Sequence, residues 1–153
     1  MTTDHDPQIA SLHLCVGHRL PMQDVGSAKV IAGFGIDGDR HAIRTGARKD
    51  RQVLLMDEET LEAFGLSHGE VRENVTTSGI ELASLIEGQR LGLGDDVVLE
   101  ISGHCAPCAR MDEIRPGLQQ ELDGRRGMLA SVVRGGTISA GDGIRVLDGK
   151  LGA

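Results

Sequence analysis

Aromatic side chains are nearly absent from this chain: it has two phenylalanines, Phe34 and Phe64, and no tryptophan or tyrosine. Its core must be packed from Val, Ile, Leu, Met and Ala, and a flat ligand stacked between aromatic rings is not an expected binding mode. A basic run with interleaved aromatics is also missing, and the formal net charge of -7 repels phosphate backbones. Both features argue against a nucleic-acid partner. No uninterrupted apolar run approaches the roughly 20 residues needed to cross a bilayer, so no membrane span is expected. The opening Met1-Thr2-Thr3-Asp4-His5-Asp6 has neither a basic nor an apolar leader segment, and the three cysteines, Cys15, Cys105 and Cys108, make an odd count. A reduced, cytoplasmic protein is expected.

What the chain has in quantity is glycine, 22 of 153 residues, recurring at short intervals between Val/Ile/Leu-rich runs. That pattern describes many short strands joined by tight turns. The length fits one domain, expected over residues 9–147, with loose tails at 1–8 and 148–153. In Ile9 to Val16, Ala10, Leu12, Leu14 and Val16 alternate with Ser11, His13 and Cys15, as in a half-buried strand. Arg51 to Met56 reads as a central strand. Asp57 to Gly65 reads as a short helix with carboxylates at its N-terminal end, and Glu81 to Glu87 as another, stopped by Gly88. Gly94-Asp95-Asp96 and Gly141-Asp142-Gly143 each open a β-branched strand, and Met128 to Val133 is a further strand ahead of a turn at Gly135-Gly136. Six or seven strands with two or three helices laid over them favour a mainly β fold, a closed or partly open barrel. No βαβ rhythm is evident, and no G-x-G-x-x-G or Walker loop occurs to hold a nucleotide.

Chemistry is expected at Gly103-His104-Cys105-Ala106-Pro107-Cys108-Ala109-Arg110, where two thiols follow a strand and precede an arginine. A thiolate is a nucleophile, a sulfur carrier and a soft-metal ligand, and a neighbouring guanidinium favours it. Half of a zinc site and a dithiol redox pair are the competing readings, but no second paired spacing supplies the other zinc ligands, and the motif follows the strand Val97 to Ile101 and runs toward Pro116 and Gly117 instead of opening a helix in a βαβ context. Two buried small hydrophobes are the plain alternative. Gly35-Ile36-Asp37-Gly38-Asp39-Arg40-His41 is a tight turn presenting Arg40 and His41, or simply a solvated turn. Arg72-Glu73-Asn74-Val75-Thr76-Thr77-Ser78-Gly79 is rich in donors that could cradle an anion, although helix capping by Thr77 or Ser78 would use only one of them. Arg125, Arg126 and Arg134 stand at strand ends. Such arginines are usually solvated, yet gathered at one mouth they would be the natural seat of an anionic ligand.

Taken in order, these segments, with Arg51-Gln52-Val53, Leu85-Ile86-Glu87-Gly88 and the stretch from Arg126-Gly127 to Gly141-Asp142, resemble the molybdenum cofactor sulfurase C-terminal domain, the MOSC family, over residues 9–147. The resemblance implies a β-rich, barrel-like fold and a role with the molybdenum cofactor, a molybdopterin with an anionic phosphate. It places the family's working cysteine, a persulfide carrier or molybdenum ligand, on Cys108, with Cys105 and Arg110 beside it. It places Arg40, His41, Arg72, Asn74, Thr76 and Ser78 along the cofactor pocket. The chain lacks the desulfurase domain of the larger sulfurases, so no pyridoxal phosphate is expected here and sulfur would arrive from a partner such as a cysteine desulfurase. It also lacks the extra domain of reductases that act on N-hydroxylated substrates. A reductase component fed by an electron-donor protein, and a non-catalytic binding domain, are the alternatives to a sulfur carrier; a homodimer is compatible with each.

Overall fold

The computed structural model describes residues 6–17, 19–40, 42 and 51–147. Among them the chain forms strands β1 (Gln8–Leu14), β2 (Gln23–Val25), β3 (Ser27–Ile31), β4 (Gly35–Ile36), β5 (Val53–Asp57), β6 (Val75–Ser78), β7 (Arg90–Leu93), β8 (Val97–His104), β9 (Met128–Arg134), β10 (Gly136–Ser139) and β11 (Ile144–Leu147). Three short helices accompany them: α1 (Glu58–Ala63), α2 (Arg110–Ile114) and α3 (Leu118–Glu121). The strands build an eight-stranded sheet in the order β11-β7-β8-β9-β5-β6-β1-β2 and a three-stranded sheet in the order β10-β3-β4. The protein is mainly β, and the strands are more numerous and shorter than the apolar runs alone predict.

Neither sheet closes into a barrel among the described residues, so the expected barrel is not confirmed. The edge near β11 approaches β1 through a single bridge, Gln8 with Gly143, and through backbone bonds such as Ile9 N to Asp142 O at 2.8 Å. Closure needs a continuous ladder, and the Gly141-Asp142-Gly143 turn supplies only its first rung. The main core lies between the inner faces of the two sheets, from Ile9, Leu12, Val30, Leu55, Leu91, Leu99, Ile101, Ile138 and their neighbours.

Strand β5 is buried on both sides, with Val53 and Leu55 in that core and Met56 in a second, outer cluster with Leu61, Leu66, Val71, Met111, Leu118 and Leu122. This two-sided burial explains its unbroken apolar run. Helix α1 begins where Asp57 accepts a hydrogen bond from the Thr60 amide at 3.0 Å, an N-cap that the sequence signals directly. Strand β5, helix α1 and strand β6 form a crossover, because β6 pairs parallel to β5. The βαβ rhythm judged absent is therefore present once, concealed by a six-residue helix and a long return through residues 64–74. The helix expected over Glu81 to Glu87 is a single 3-10 turn at Leu82–Ser84. One turn already buries Leu82 and Leu85, while Ile86 remains 63% exposed and gives no reason to continue.

Candidate functional site

Strand pairing decides what meets at each end of the large sheet. Asp57 is level with Thr77 across the parallel pair, Met128 faces Leu55, and His104 faces Met128. The ends of β5, β6 and β8 and the start of β9 thus share one edge. There a cleft of about 550 Å³ opens, lined by Asp57, Glu59, Gly79, Glu81, His104, Arg125, Gly127 and their neighbours. This volume lies within the ~300–1,000 Å³ typical of small-molecule sites.

The cysteine loop leaves this edge directly after His104. Cys105 is buried and its amide donates to Gly127 O at 2.9 Å, while Cys108 is exposed ahead of α2. Cys108 does not line the cleft; it sits on the loop that continues from the cleft wall. Arg110 opens α2 half-buried. Among the described residues, no hydrogen bond joins its guanidinium to the Cys108 sulfur.

The loop's partner is the turn Gly124-Arg125-Arg126-Gly127, bracketed by glycines at φ 79° and 115°. A Cβ on Gly127 would stand 2.4 Å from Leu55 O, so only glycine lets this turn lie against β5. Arg125 stacks over the Phe64 ring at 5.2 Å and lines the cleft. Arg126 is buried, with Nη2 donating to Val71 O at 2.6 Å and with Nε and Nη1 lacking an acceptor among the described residues.

The other expected pocket residues gather mainly at the opposite end of β6. Asn74 Oδ1 accepts from Leu54 N at 3.0 Å, and its Nδ2 donates to His13 O and to Asp39 Oδ1. Asp39 also accepts from the Cys15 amide at 2.7 Å, and the Arg40 amide donates to Cys15 O. Arg72, at φ 70°, donates to Cys15 Sγ at 3.1 Å and to the carbonyls of Gly17 and Leu20. Its charge is spent on closing the loop that follows β1. Thr76 donates to Glu73 at 2.6 Å, and Ser78 is buried at the end of β6. His41 lies outside the described residues. Arg72 and Asn74 thus hold the fold together at one end, and the thiol loop leaves the other; the ion pair Arg19–Glu113 at 3.0 Å ties the β1 loop to the helix that follows the thiol loop.

Two features escaped sequence reasoning. Cys15 is the soft acceptor of Arg72, a pairing across 57 positions that no local motif announces. Ser11 and His13, expected to face solvent, instead join a polar chain. Ser11 Oγ lies 2.9 Å from both His13 Nε2 and His68 Nδ1, with Asp24 and Glu58 on the far sides of the two rings. Loop 66–73 covers this face of β1, so its alternation separates two buried environments. No cluster of three or more metal-ligating side chains occurs among the described residues, which leaves the zinc reading without a ligand set.

Residues 39–145 match the family model of the MOSC domain. The chain belongs to the MOSC domain family. MOSC domains are a molybdenum cofactor-binding, sulfurase-type family, which ties this chain to that cofactor at the level of the family. Among solved structures, this MOSC domain is similar to the YuaD protein of Bacillus subtilis, at 22% identity over 95% of this chain and 98% of that one, with a TM-score of 0.74. It is similar to YiiM of Geobacillus stearothermophilus at 17% identity over 93% and 75% of the two chains, with a TM-score of 0.73. YiiM of Escherichia coli gives 17% identity over 92% and 70%, with a TM-score of 0.69. No curated protein sequence matches the chain. No helix among the described residues is long and apolar enough to cross a membrane.

Proposed function

We propose that this MOSC domain binds the molybdenum cofactor beside the Cys105–Cys108 loop and that Cys108 supplies the sulfur that meets the metal, as its ligand or as the carrier of a sulfur delivered to it. One observation carries the reading: of the three thiols Cys15 and Cys105 are buried, and only Cys108 is exposed, on the loop leaving the cleft. The residues present fit the group by their donor chemistry. A soft, open thiol suits molybdenum. The carboxylates of Glu59 and Glu81 suit the N–H groups of a pterin ring, and Arg125 of the Gly124–Gly127 turn suits its anionic end. When bound, the cofactor supplies a metal centre that accepts a soft sulfur donor. The chain's own contribution is to present that donor on a loop pinned through Cys105 to Gly127.

A cytoplasmic sulfur donor such as a cysteine desulfurase, or an electron-donor protein, is the partner this role requires. The test is elemental and pterin analysis of the protein purified from a cofactor-competent host, wild type against Cys108→Ser. Molybdenum and pterin are expected together in the wild type, with molybdenum lost in the variant if Cys108 is the ligand. A sulfane-sulfur adduct on the Cys108 peptide marks the carrier instead. Equal molybdenum in both proteins with Cys108 unmodified overturns the role of Cys108, and absence of pterin from both overturns cofactor binding.

A further inference from the structure

The polar chain under loop 66–73 holds a hydroxyl between two bases. Ser11 Oγ stands 2.9 Å from His13 Nε2, and His13 Nδ1 stands 2.7 Å from Asp24 Oδ1. On its other side Ser11 Oγ stands 2.9 Å from His68 Nδ1, and His68 Nε2 stands 3.1 Å from Glu58 Oε1. With both rings neutral, each gives its one N–H to its carboxylate, so both remaining nitrogens are acceptors and face a hydroxyl that has a single hydrogen. Neither ring then donates to the Ser11 oxygen. Thr76 Oγ1 lies 3.3 Å from His13 Nε2, but its hydrogen goes to Glu73, which leaves Ser11 as the proton source for that nitrogen. The His13 ring is fully buried and held in place by Gly69, at φ 82°, where a Cβ would stand 3.0 Å from Nδ1.

We propose that Ser11, His13 and Asp24 form a hydrolytic site for small carboxylic esters, with Ser11 as nucleophile, His13 as its base and Asp24 as the residue that positions the ring. The ring nitrogens are placed as that chemistry demands, Nε2 toward the hydroxyl and Nδ1 toward the carboxylate, each within hydrogen-bond reach. Attack by Ser11 Oγ forms a bond to the ester carbonyl carbon while the hydroxyl proton passes to His13 Nε2. The bond from that carbon to the alkoxy oxygen then breaks, and the alcohol leaves with the proton. Water repeats the sequence on the acyl-serine, releasing the carboxylic acid and restoring the hydroxyl. Access comes from the side of His68: Ser11 is partly exposed, and a cavity of about 280 Å³ lined by Pro21, Met22, Asp24, His68 and Arg72 adjoins the array through Asp24 and His68. That volume falls below the ~300–1,000 Å³ of drug-sized sites, which limits the acyl group to a short one. The array shares no residue with the lining of the cleft beside the thiol loop, so this activity is separate from the role of Cys108.

The test uses the purified full chain and para-nitrophenyl acetate, in a Cys108→Ser background because an exposed thiol would itself take the acetyl group. Turnover is expected to persist in that background and to fall about 100-fold or more when Ser11→Ala is added, the scale of a lost nucleophile and base step. A fluorophosphonate is expected to attach to one serine per chain, read by mass on the Ser11 peptide, with fluoride as the leaving group. Asp24→Asn is expected to lower kcat and the rate of this labelling together, with KM and the unfolding midpoint little changed, a split that a loosened fold would not produce. Hydrolysis as fast with Ser11→Ala as without it, or no phosphonylated Ser11 in the folded protein, overturns the proposal. Loss of all turnover on replacing Cys108 assigns hydrolysis to the thiol and overturns it as well. If Ser11→Ala does not fold, labelling of the Cys108→Ser protein decides alone.

Discussion

The amide of Cys105 donates to the carbonyl oxygen of Gly127 at 2.9 Å, and this bond joins the loop that carries the open thiol to the turn that carries Arg125 and the buried Arg126. Both ends rest on conformational constraint. Gly127 stands at φ 115° with room for no side chain against Leu55 O, so its carbonyl cannot shift without moving β5. Gly127→Ala is expected to cost about 3 kcal/mol in urea unfolding, from left-handed strain and backbone collision together. A loss below about 1 kcal/mol would show that the turn is free to relax and that the coupling is slack.

Thiol chemistry separates the three cysteines. Cys108 is exposed, while Cys15 and Cys105 are buried. Under native conditions an aromatic disulfide reagent is expected to modify one sulfur per chain, on the Cys108 peptide, with the other two reacting only in denaturant. Rapid native modification of Cys105, read by peptide mass, would mean that the loop opens and that the two sulfurs act as a pair.

Much of this arrangement is written in local sequence, and the unwritten parts share a cause. Val53 to Met56 announce a central strand because both faces of β5 are covered. Asp57 announces α1 because a cap is a contact between residues three apart. The turns at Gly94 and Gly141 are legible because both adopt positive φ, which glycine tolerates. By contrast, the burial of His13 and Cys15 and the partial covering of Ser11 depend on loop 66–73 and Asp39 arriving from elsewhere in the chain. The split of the expected pocket residues between two ends of β6 depends on strand pairing, and an extended segment such as Arg72 to Ser78 carries no mark of which end meets the ligand. The exposure of Cys108 is consistent with its place in a polar turn, whereas Cys105, in the same turn, is drawn inward by its bond to Gly127.

Arg72 offers a test of strain. It is one of two non-glycine residues at positive φ among those described, and its side chain clamps Cys15, Gly17 and Leu20. Replacing it with alanine removes the clamp and keeps the strain, whereas glycine removes both. Arg72→Gly is therefore expected to be more stable than Arg72→Ala by about 1 kcal/mol, with both below wild type. The reverse order in chemical denaturation would show that the backbone relaxes out of the left-handed region once the guanidinium is gone.

Asn74 separates a structural role from a ligand contact. Its amide group bridges three segments: it accepts from Leu54 N, donates to His13 O and donates to Asp39 Oδ1, all within the buried interior. A side chain so fully engaged has little left to offer a ligand. Asn74→Ala strands the buried amide hydrogen of Leu54 and takes one donor from His13 O and one from Asp39 Oδ1, which keeps the Cys15 amide, and is expected to cost about 2–4 kcal/mol, since a buried polar group left without its partner loses about 1–3 kcal/mol. Asn74→Asp keeps the acceptor for Leu54 but places a second carboxylate against Asp39, so it should be no milder. Pterin content of protein purified from a cofactor-competent host should survive in whichever variant still folds, because Asn74 does not line the cleft. Loss of pterin from a folded Asn74 variant, with stability little changed, would return Asn74 to the ligand site and refute the division of β6 into a structural end and a binding end.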